Sequence, residues 1–324
     1  MKTILVTGIG GNVGQGILRC VQDAFPEIRL IGTNIEFYSA GNHFCDKTIK
    51  VPFSTDTSYL PAIHRIVSEE KVDLIIPSTD FETVELSKAA DSLACKLASS
   101  PYKTTETYVD KYLSFQHHQQ HEIPFADSYL PSEYEGQFSN CIVKPRLGRG
   151  SRGLHIDPAD YKTFDDNEYL VQELATGTEF TTAFYVDCAG ALHGTITLDR
   201  QLVNGATGKC RVSPQHDQMV RPVISKMINC SQFQGSANLQ WILTTDGKIV
   251  PFEINCRISG TNSIRHHFGF RDVVYTIQEC LLQRTPDPCE VKSGVAIRLL
   301  MDVISTGSND YPKNDQEEEP THVF

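Results

Sequence analysis

Asn238-Leu239-Gln240-Trp241-Ile242-Leu243-Thr244-Thr245-Asp246-Gly247-Lys248-Ile249-Val250-Pro251-Phe252-Glu253-Ile254-Asn255 reads as two β-strands joined by a tight turn. Asp-Gly between two alternating apolar runs is a hairpin signal. Setting Thr245 opposite Lys248 and counting outward places Trp241 opposite Phe252, Gln240 opposite Glu253 and Asn238 opposite Asn255. Because side chains alternate, Leu239, Trp241, Leu243, Phe252 and Ile254 are expected on one core face. Asn238, Gln240, Glu253 and Asn255 then share the other face. Opposed residues lie roughly 4.5–5.5 Å apart at Cβ, so Gln240, Glu253 and Asn255 can converge on one hard cation. A carboxylate with two amide oxygens suits Mg²⁺, with Mn²⁺ as an alternative; such ions keep positions for water and phosphate oxygens. Arg257 stays on the same side and can reach a phosphoryl group. A solvated polar face would explain the alternation, but not amides placed opposite a carboxylate beside an arginine. Pro251 brings no ladder N–H, so the register can slip or hold a bulge.

Upstream, Ile142-Val143-Lys144-Pro145-Arg146-Leu147-Gly148-Arg149-Gly150-Ser151-Arg152-Gly153-Leu154-His155-Ile156 delivers Lys144 on a strand, runs through three glycines and returns as a strand. Backbone N–H groups around Gly148, Gly150 and Gly153, with the Ser151 hydroxyl, Arg149 and Arg152, are placed to grip phosphate oxygens. Lys144 inside an apolar strand is a costly charge unless an anion meets it. Tyr169-Leu170-Val171-Gln172-Glu173-Leu174-Ala175-Thr176-Gly177-Thr178-Glu179 forms a strand, turn and strand. Backbone groups of Glu173 and Leu174 can read an adenine edge there, and Glu179 can accept two ribose hydroxyls.

The first third alternates strands (3–6, 29–32, 48–51, 74–77, 96–98) with helical patterns (to 24, 59–69, 82–91), which implies a parallel sheet with helices on both faces. Thr7-Gly8-Ile9-Gly10-Gly11-Asn12-Val13-Gly14 matches the nucleotide loop of extended short-chain dehydrogenases, and Glu36 could hold a ribose. An NAD(P)-dependent epimerase or reductase is therefore the rival reading. That chemistry normally uses a Tyr-x-x-x-Lys pair, and no tyrosine here has a lysine four residues later. Beyond residue 105 a helix over 107–121 leads into strands at 140–144, 169–173, 179–186 and 192–198. A helix at 218–227, the hairpin, and helices near 262–268 and 271–283 follow. The fold class is thus α/β plus α+β: a Rossmann-like domain over 1–104, a small lobe over 105–172 carrying the glycine-rich loop, a larger lobe over 173–304, and an acidic flexible tail over 305–324. His117 and His121 fall at i,i+4, but no third ligand completes a metal site, so a solvated helix face is expected.

A net charge of −11 argues against nucleic acid as partner. No apolar run is long enough for a membrane span, and no signal segment precedes the first strand. Ten scattered cysteines without a Cys-x-x-Cys pair read as reduced thiols of a cytoplasmic protein, not a disulfide framework.

Taken in order, Ile142 to Pro145, Val171 to Glu173 with Glu179, Asn238 to Gln240, and Phe252-Glu253-Ile254-Asn255-Cys256-Arg257 resemble the successive motifs of ATP-grasp ligases. The closest resemblance is to the carbamoyl-phosphate-synthase large-subunit-like branch, which the glycine-rich opening and Asp110-Lys111 also resemble. It implies ATP between two lobes, with Lys111 and Lys144 on phosphates, Gln172 to Leu174 beside adenine and Glu179 on ribose. It further implies Mg²⁺ on Gln240, Glu253 and Asn255, Arg257 on the γ-phosphoryl group, and Arg200 on an acyl phosphate. Cys256 stands where proline is usual. One grasp unit fits this chain, whereas the full synthetase carries two. The implied activity is carboxylate–amine ligation through an acyl phosphate; a non-catalytic ATP-binding protein is disfavoured because the metal set is intact. Gly10, Gly11, Ser259 and Arg265 are the substrate candidates, Arg265 for a carboxylate, and a homodimer is common among similar proteins.

Overall fold

In the computed structural model, residues 1–148, 152–299 and 301–304 are described, with the backbone of 322–323. The chain opens with β1 (Thr3–Val6), α1 (Asn12–Ala24), β2 (Arg29–Asn34), β3 (Lys47–Lys50), α2 (Tyr59–Glu70), β4 (Leu74–Ile76), α3 (Asp80–Lys88) and β5 (Lys96–Leu97). The five strands form one parallel sheet in the order β3-β2-β1-β4-β5. Alternation along β1 explains why both faces are covered. Ile4 and Val6 pack with Ile17, Leu18 and Val21 of α1, while Leu5 packs on the opposite face with Ile63 and Ile66 of α2.

The expected single helix over 107–121 is two helices, α4 (Tyr102–Val109) and α5 (Lys111–Gln120). Asp110 breaks it by capping α5, its carboxylate accepting from the N–H groups of Tyr112 and Leu113 at 2.8 and 3.2 Å. The His117–His121 face is only partly solvated, His121 being exposed while His117 Nε2 lies 2.8 Å from Ser231 Oγ. His118 is fully buried, with Nδ1 3.0 Å from the Pro124 carbonyl and its ring edge-on to Tyr108 and Phe125. Next come β6 (Ser128–Tyr129), β7 (Cys141–Pro145), β8 (His155–Ile156) and β9 (Tyr169–Glu173), forming an antiparallel sheet in the order β6-β9-β7-β8.

The third sheet runs β14-β13-β10-β11-β12-β15. It comprises β10 (Gly177–Val186), β11 (Leu192–Val203), β12 (Ala206–Val212), β13 (Gly235–Thr244), β14 (Ile249–Asn255) and β15 (Val295–Ile297). Asn204 and Gly205 turn the chain with positive φ, and β12 begins at once. One face is covered by α6 (Pro214–Cys230), whose Val220, Ile224 and Met227 meet Phe184, Leu239 and Trp241. After α7 (Asn262–His267) and α8 (Asp272–Thr276) the chain continues in a π-helical turn at Ile277–Leu281. Val273 and Ile277 return to the first sheet and pack beside α1. Of the expected acidic tail, 305–321 and 324 lie outside the described residues, while β17 (His322–Val323) pairs with β16 (Val303–Ile304).

The hairpin carries two departures that cancel. The Thr244 N–H donates to the Lys248 carbonyl and the Gly247 N–H to the Thr244 carbonyl, so the turn holds three residues, not two. A bulge then falls between Gln240 and Trp241, where Phe252 is the extra residue and Trp241 pairs with Pro251. The register at the polar end is the expected one, Gln240 opposite Glu253 and Asn238 opposite Asn255. Phe252, expected in the core, instead lines a cavity described below, because the bulge turns it off the core face.

Gly8 has φ +60 and lets the loop after β1 turn into α1. At Gly14 an added Cβ would stand 2.7 Å from the Ile9 Cα and 2.8 Å from the Gly8 carbonyl oxygen, both backbone atoms. Gly14→Ala should therefore destabilise the protein by about 1–3 kcal/mol through overpacking. Chemical unfolding will measure this, and an unshifted midpoint would contradict it.

Candidate active site

Two cavities meet at the polar end of the hairpin. The larger, of about 680 Å³, lies between the carboxyl ends of β1, β2 and β4 and the polar face of β13–β14. The smaller, of about 220 Å³, lies between the two antiparallel sheets and is lined by Ile142, Leu174, Ile242, Val250 and Phe252 among others. Gln240 and Glu253 belong to the walls of both. The predicted metal set is thus brought together. Asn255 Nδ2 donates to Glu253 Oε1 at 3.1 Å, and Gln240 Nε2 donates to Asn255 Oδ1 at 3.4 Å.

The charges around Glu253 come from three parts of the chain. Lys144, central in β7, is buried, and its Nζ donates to the Phe252 carbonyl at 3.2 Å and sits over the Phe252 ring. Burial, with the nearby Lys111 ammonium, lowers its pKa to about 7, against the opposing pull of Glu253. Burial pushes the Glu253 carboxyl up, yet Lys111, Lys144, the Asn255 amide and Arg257 together hold it below the usual range. Lys111, the first residue of α5, donates to the Gly148 carbonyl at 3.3 Å. Arg200 reaches across from β11 to Glu179 on β10, with Nη2–Oε1 at 2.6 Å, and also donates to Gln240 Oε1.

The residues fit a hard cation with a polyphosphate. Three oxygen-bearing side chains converge, and the carboxylate among them is held ionised. Beside them the buried Lys144 ammonium has a neutral carbonyl as its hydrogen-bond partner, so an anion would improve its surroundings.

Other expectations meet the structure unevenly. Gln172 lines the smaller cavity, but its side-chain amide donates to Ser128 Oγ at 3.0 Å. Glu173 and Leu174 also line it, but their N–H groups already donate to the carbonyls of Asp127 and Asn140. Those N–H groups are committed and do not offer an adenine-reading edge in this arrangement. Gly148 lines the smaller cavity, and Gly153 turns the chain with φ +68. Arg149, Gly150 and Ser151 lie outside the described residues. Gly10, Gly11 and Ser259 line the larger cavity.

Arg265 is the clear correction. It is fully buried, is salt-bridged to Asp272 and donates to Ser259 Oγ and Thr261 Oγ1 at 2.6 and 2.8 Å. A guanidinium so committed braces Ser259 from behind and does not bind a substrate carboxylate.

Asp80 was missed. It lies just after β4, lines the larger cavity and accepts from Arg257 Nη2 at 2.6 Å. The signal was available in outline, since ligands of open parallel sheets bind outside the carboxyl ends of strands, and Ser78-Thr79-Asp80 is such an end.

Residues 108–261 match the ATP-grasp domain family, and residues 4–96 match the PylC-like N-terminal domain. Residues 108–261 of this chain are an ATP-grasp domain. No curated protein gives a significant match. Among solved structures, the grasp chain resembles N5-carboxyaminoimidazole synthetase from Staphylococcus aureus complexed with ADP, with TM-score 0.73 and 14% identity over 94% of this chain and 82% of that one. The Thermotoga maritima N5-carboxyaminoimidazole ribonucleotide synthetase gives TM-score 0.69 and 15% identity over 95% and 82%. The biotin carboxylase domain dimer of Hydrogenobacter thermophilus 2-oxoglutarate carboxylase, in complex with MgADP, ADP and bicarbonate, gives 0.71 and 14% over 94% and 75%. At these identities the likeness is one of fold. No helix among the described residues is long and apolar enough to cross a membrane.

Two predictions follow from these charges. Arg265→Met should cost about 3–5 kcal/mol, because it strands the buried Asp272 carboxylate; denaturant titration showing a loss below 1 kcal/mol or so would refute that. Lys144 is mostly neutral above its pKa of about 7 in the free protein. A bound polyphosphate favours the ammonium, so MgADP binding at about pH 8 should take up a proton, whereas at about pH 6 the amine is already charged. Calorimetry in buffers of different ionisation enthalpy reads this uptake, and Lys144→Met should abolish it. A buffer-independent enthalpy at the higher pH would count against it.

Proposed function

We propose that the protein is an ATP-dependent carboxylate–amine ligase that activates a small carboxylate as an acyl phosphate. The observation that carries this reading is that Gln240 and Glu253 belong to both cavities. The smaller cavity, apolar toward its base and basic toward Lys111 and Lys144, suits a nucleotide whose phosphates point at Glu253. The larger, polar cavity suits the acid and the amine. Its wall includes the Gly8–Val13 loop, so the glycines of the rival dinucleotide reading face the same chamber as the metal residues. That supports a substrate role for the loop over an NAD(P) site.

In the proposed reaction the substrate carboxylate attacks the γ-phosphorus, and the bond to the β-phosphate oxygen breaks to release ADP. An amine then attacks the acyl carbon, loses its proton and expels inorganic phosphate. Mg²⁺, with Mn²⁺ as substitute, would be held by Gln240, Glu253 and Asn255 and would supply neutralisation of phosphate charge. Lys111 and Lys144 hold the phosphate oxygens, and Arg257 steadies the group in flight. Arg200 turns from Glu179 toward the acyl phosphate, and Glu179, so released, accepts the ribose hydroxyls. Ten cysteines without a disulfide support placement in the reducing cytoplasm. Likeness to a domain that is a dimer supports a homodimer.

Screening ADP release over pairs of small carboxylates and amines should find a pair that stimulates it. Against that pair, Glu253→Gln should lower turnover by at least about 100-fold while circular dichroism stays unchanged. Turnover that survives in the variant would remove the metal assignment.

A further inference from the structure

We infer that Asp80, carried by the N-terminal sheet, is a positioning residue that holds Arg257 for the γ-phosphoryl group and keeps it off Glu253. This rests on the ligase reading above. The cap of α3 fixes where Asp80 stands. Thr79 Oγ1 accepts from the Glu82 N–H at 3.2 Å and donates to Glu82 Oε2 at 2.8 Å, a side-chain N-cap that sets the first helical residue. From there Asp80 Oδ2 accepts from Arg257 Nη2 at 2.6 Å, and Oδ1 lies 3.5 Å from Asn255 Nδ2. Both side chains are nearly buried, 15% and 11% exposed, so solvent screens the pair weakly. Among the described residues it is the only lysine or arginine ion pair that ties residues 1–97 to a later part of the chain.

The rest of Arg257 is only partly committed. Nη1 donates to the Ile258 carbonyl at 3.1 Å, while Nε is buried with no hydrogen-bond partner among the described residues. A guanidinium held along one edge keeps a donor for a ligand. Asn255 Nδ2 lies between the two carboxylates, donating to Glu253 at 3.1 Å with Asp80 at 3.5 Å, so Glu253 is the other anion at hand for Arg257. Without Asp80 the arginine would lean toward Glu253 and lose its aim at the γ-phosphoryl group. Phosphoryl chemistry on the hairpin would then depend on the parallel sheet being docked against it.

The test compares MgADP with magnesium-bound AMP-PNP, which carries the γ-phosphate. Wild-type protein should bind the second more tightly. Asp80→Asn should leave MgADP affinity within about twofold but erase roughly tenfold of the preference for AMP-PNP. Arg257→Gln should do the same, and the double variant should lose no more than Arg257→Gln alone, since Asp80 acts through Arg257. If Asp80→Asn does not fold, Asp80→Ser at the same helix start carries the measurement. A lowered melting temperature with full preference for AMP-PNP would make the pair a structural tie and overturn the inference, as would a wild-type chain that binds both nucleotides equally. A wild-type chain that binds neither nucleotide would instead sink the ligase reading.

Discussion

The site depends on one half-buried carboxylate, Glu253, being kept ionised among cations that come from a helix and the two antiparallel sheets. Each of these charges alone would be costly to bury, and the deficit is large enough to neutralise a lone group. Lys144 shows this, its ammonium brought to the edge of neutrality by burial and by the neighbouring Lys111. Glu253 escapes the same fate only because Lys111, Lys144, Arg257 and the Asn255 amide all act on it. The arrangement is therefore unfinished as it stands. It holds more positive than negative charge at its centre, and a polyanion is what that imbalance fits.

That cluster requires the hairpin register to be right to the residue, since a one-place slip would send Glu253 into the core and Ile254 into the cleft. Pro251 has no N–H for the ladder, and the strand bulges beside it at Phe252. The three-residue turn and the bulge each move the register by one, in opposite senses. The net result aligns Glu253 with Gln240. The bulge also turns Phe252 toward Lys144, so the irregularity supplies an aromatic face to the same ammonium that the register places beside Glu253.

Much of this was legible in the sequence because it was local. Parallel strands, most helix limits and the pairing of Gln240 with Glu253 all follow from periodicities that span a few residues. What was not legible involved partners far apart. Asp80 and Arg257 are separated by 177 positions, and nothing in a strand-end aspartate says which arginine it will meet. Arg265 failed for another reason: Asp272 is only seven residues on, but local periodicity does not show that both side chains are buried against each other. The break at Asp110 was a local signal that periodicity overrode, since its carboxylate caps the N–H groups of Tyr112 and Leu113. Phe252 was misplaced because alternation was counted through a bulge.

The order of the first sheet explains why the two halves face each other as they do. With strands arranged β3-β2-β1-β4-β5, the connections leave β1 and β4 on opposite faces, and a crevice opens outside their carboxyl ends. Gly8 sits on one side of that crevice and Ser78 to Asp80 on the other, with the Ser78 hydroxyl donating to the Gly8 carbonyl at 3.2 Å across it. The glycine loop that resembles a dinucleotide site is thus one lip of the crevice, and Asp80 is the other. The β13–β14 hairpin is docked against this opening, so the space a coenzyme would need is bounded by Glu253, Asn255 and Arg257. The parallel-sheet crevice is thus one wall of a shared chamber, and the polar side chains of the hairpin form the facing wall.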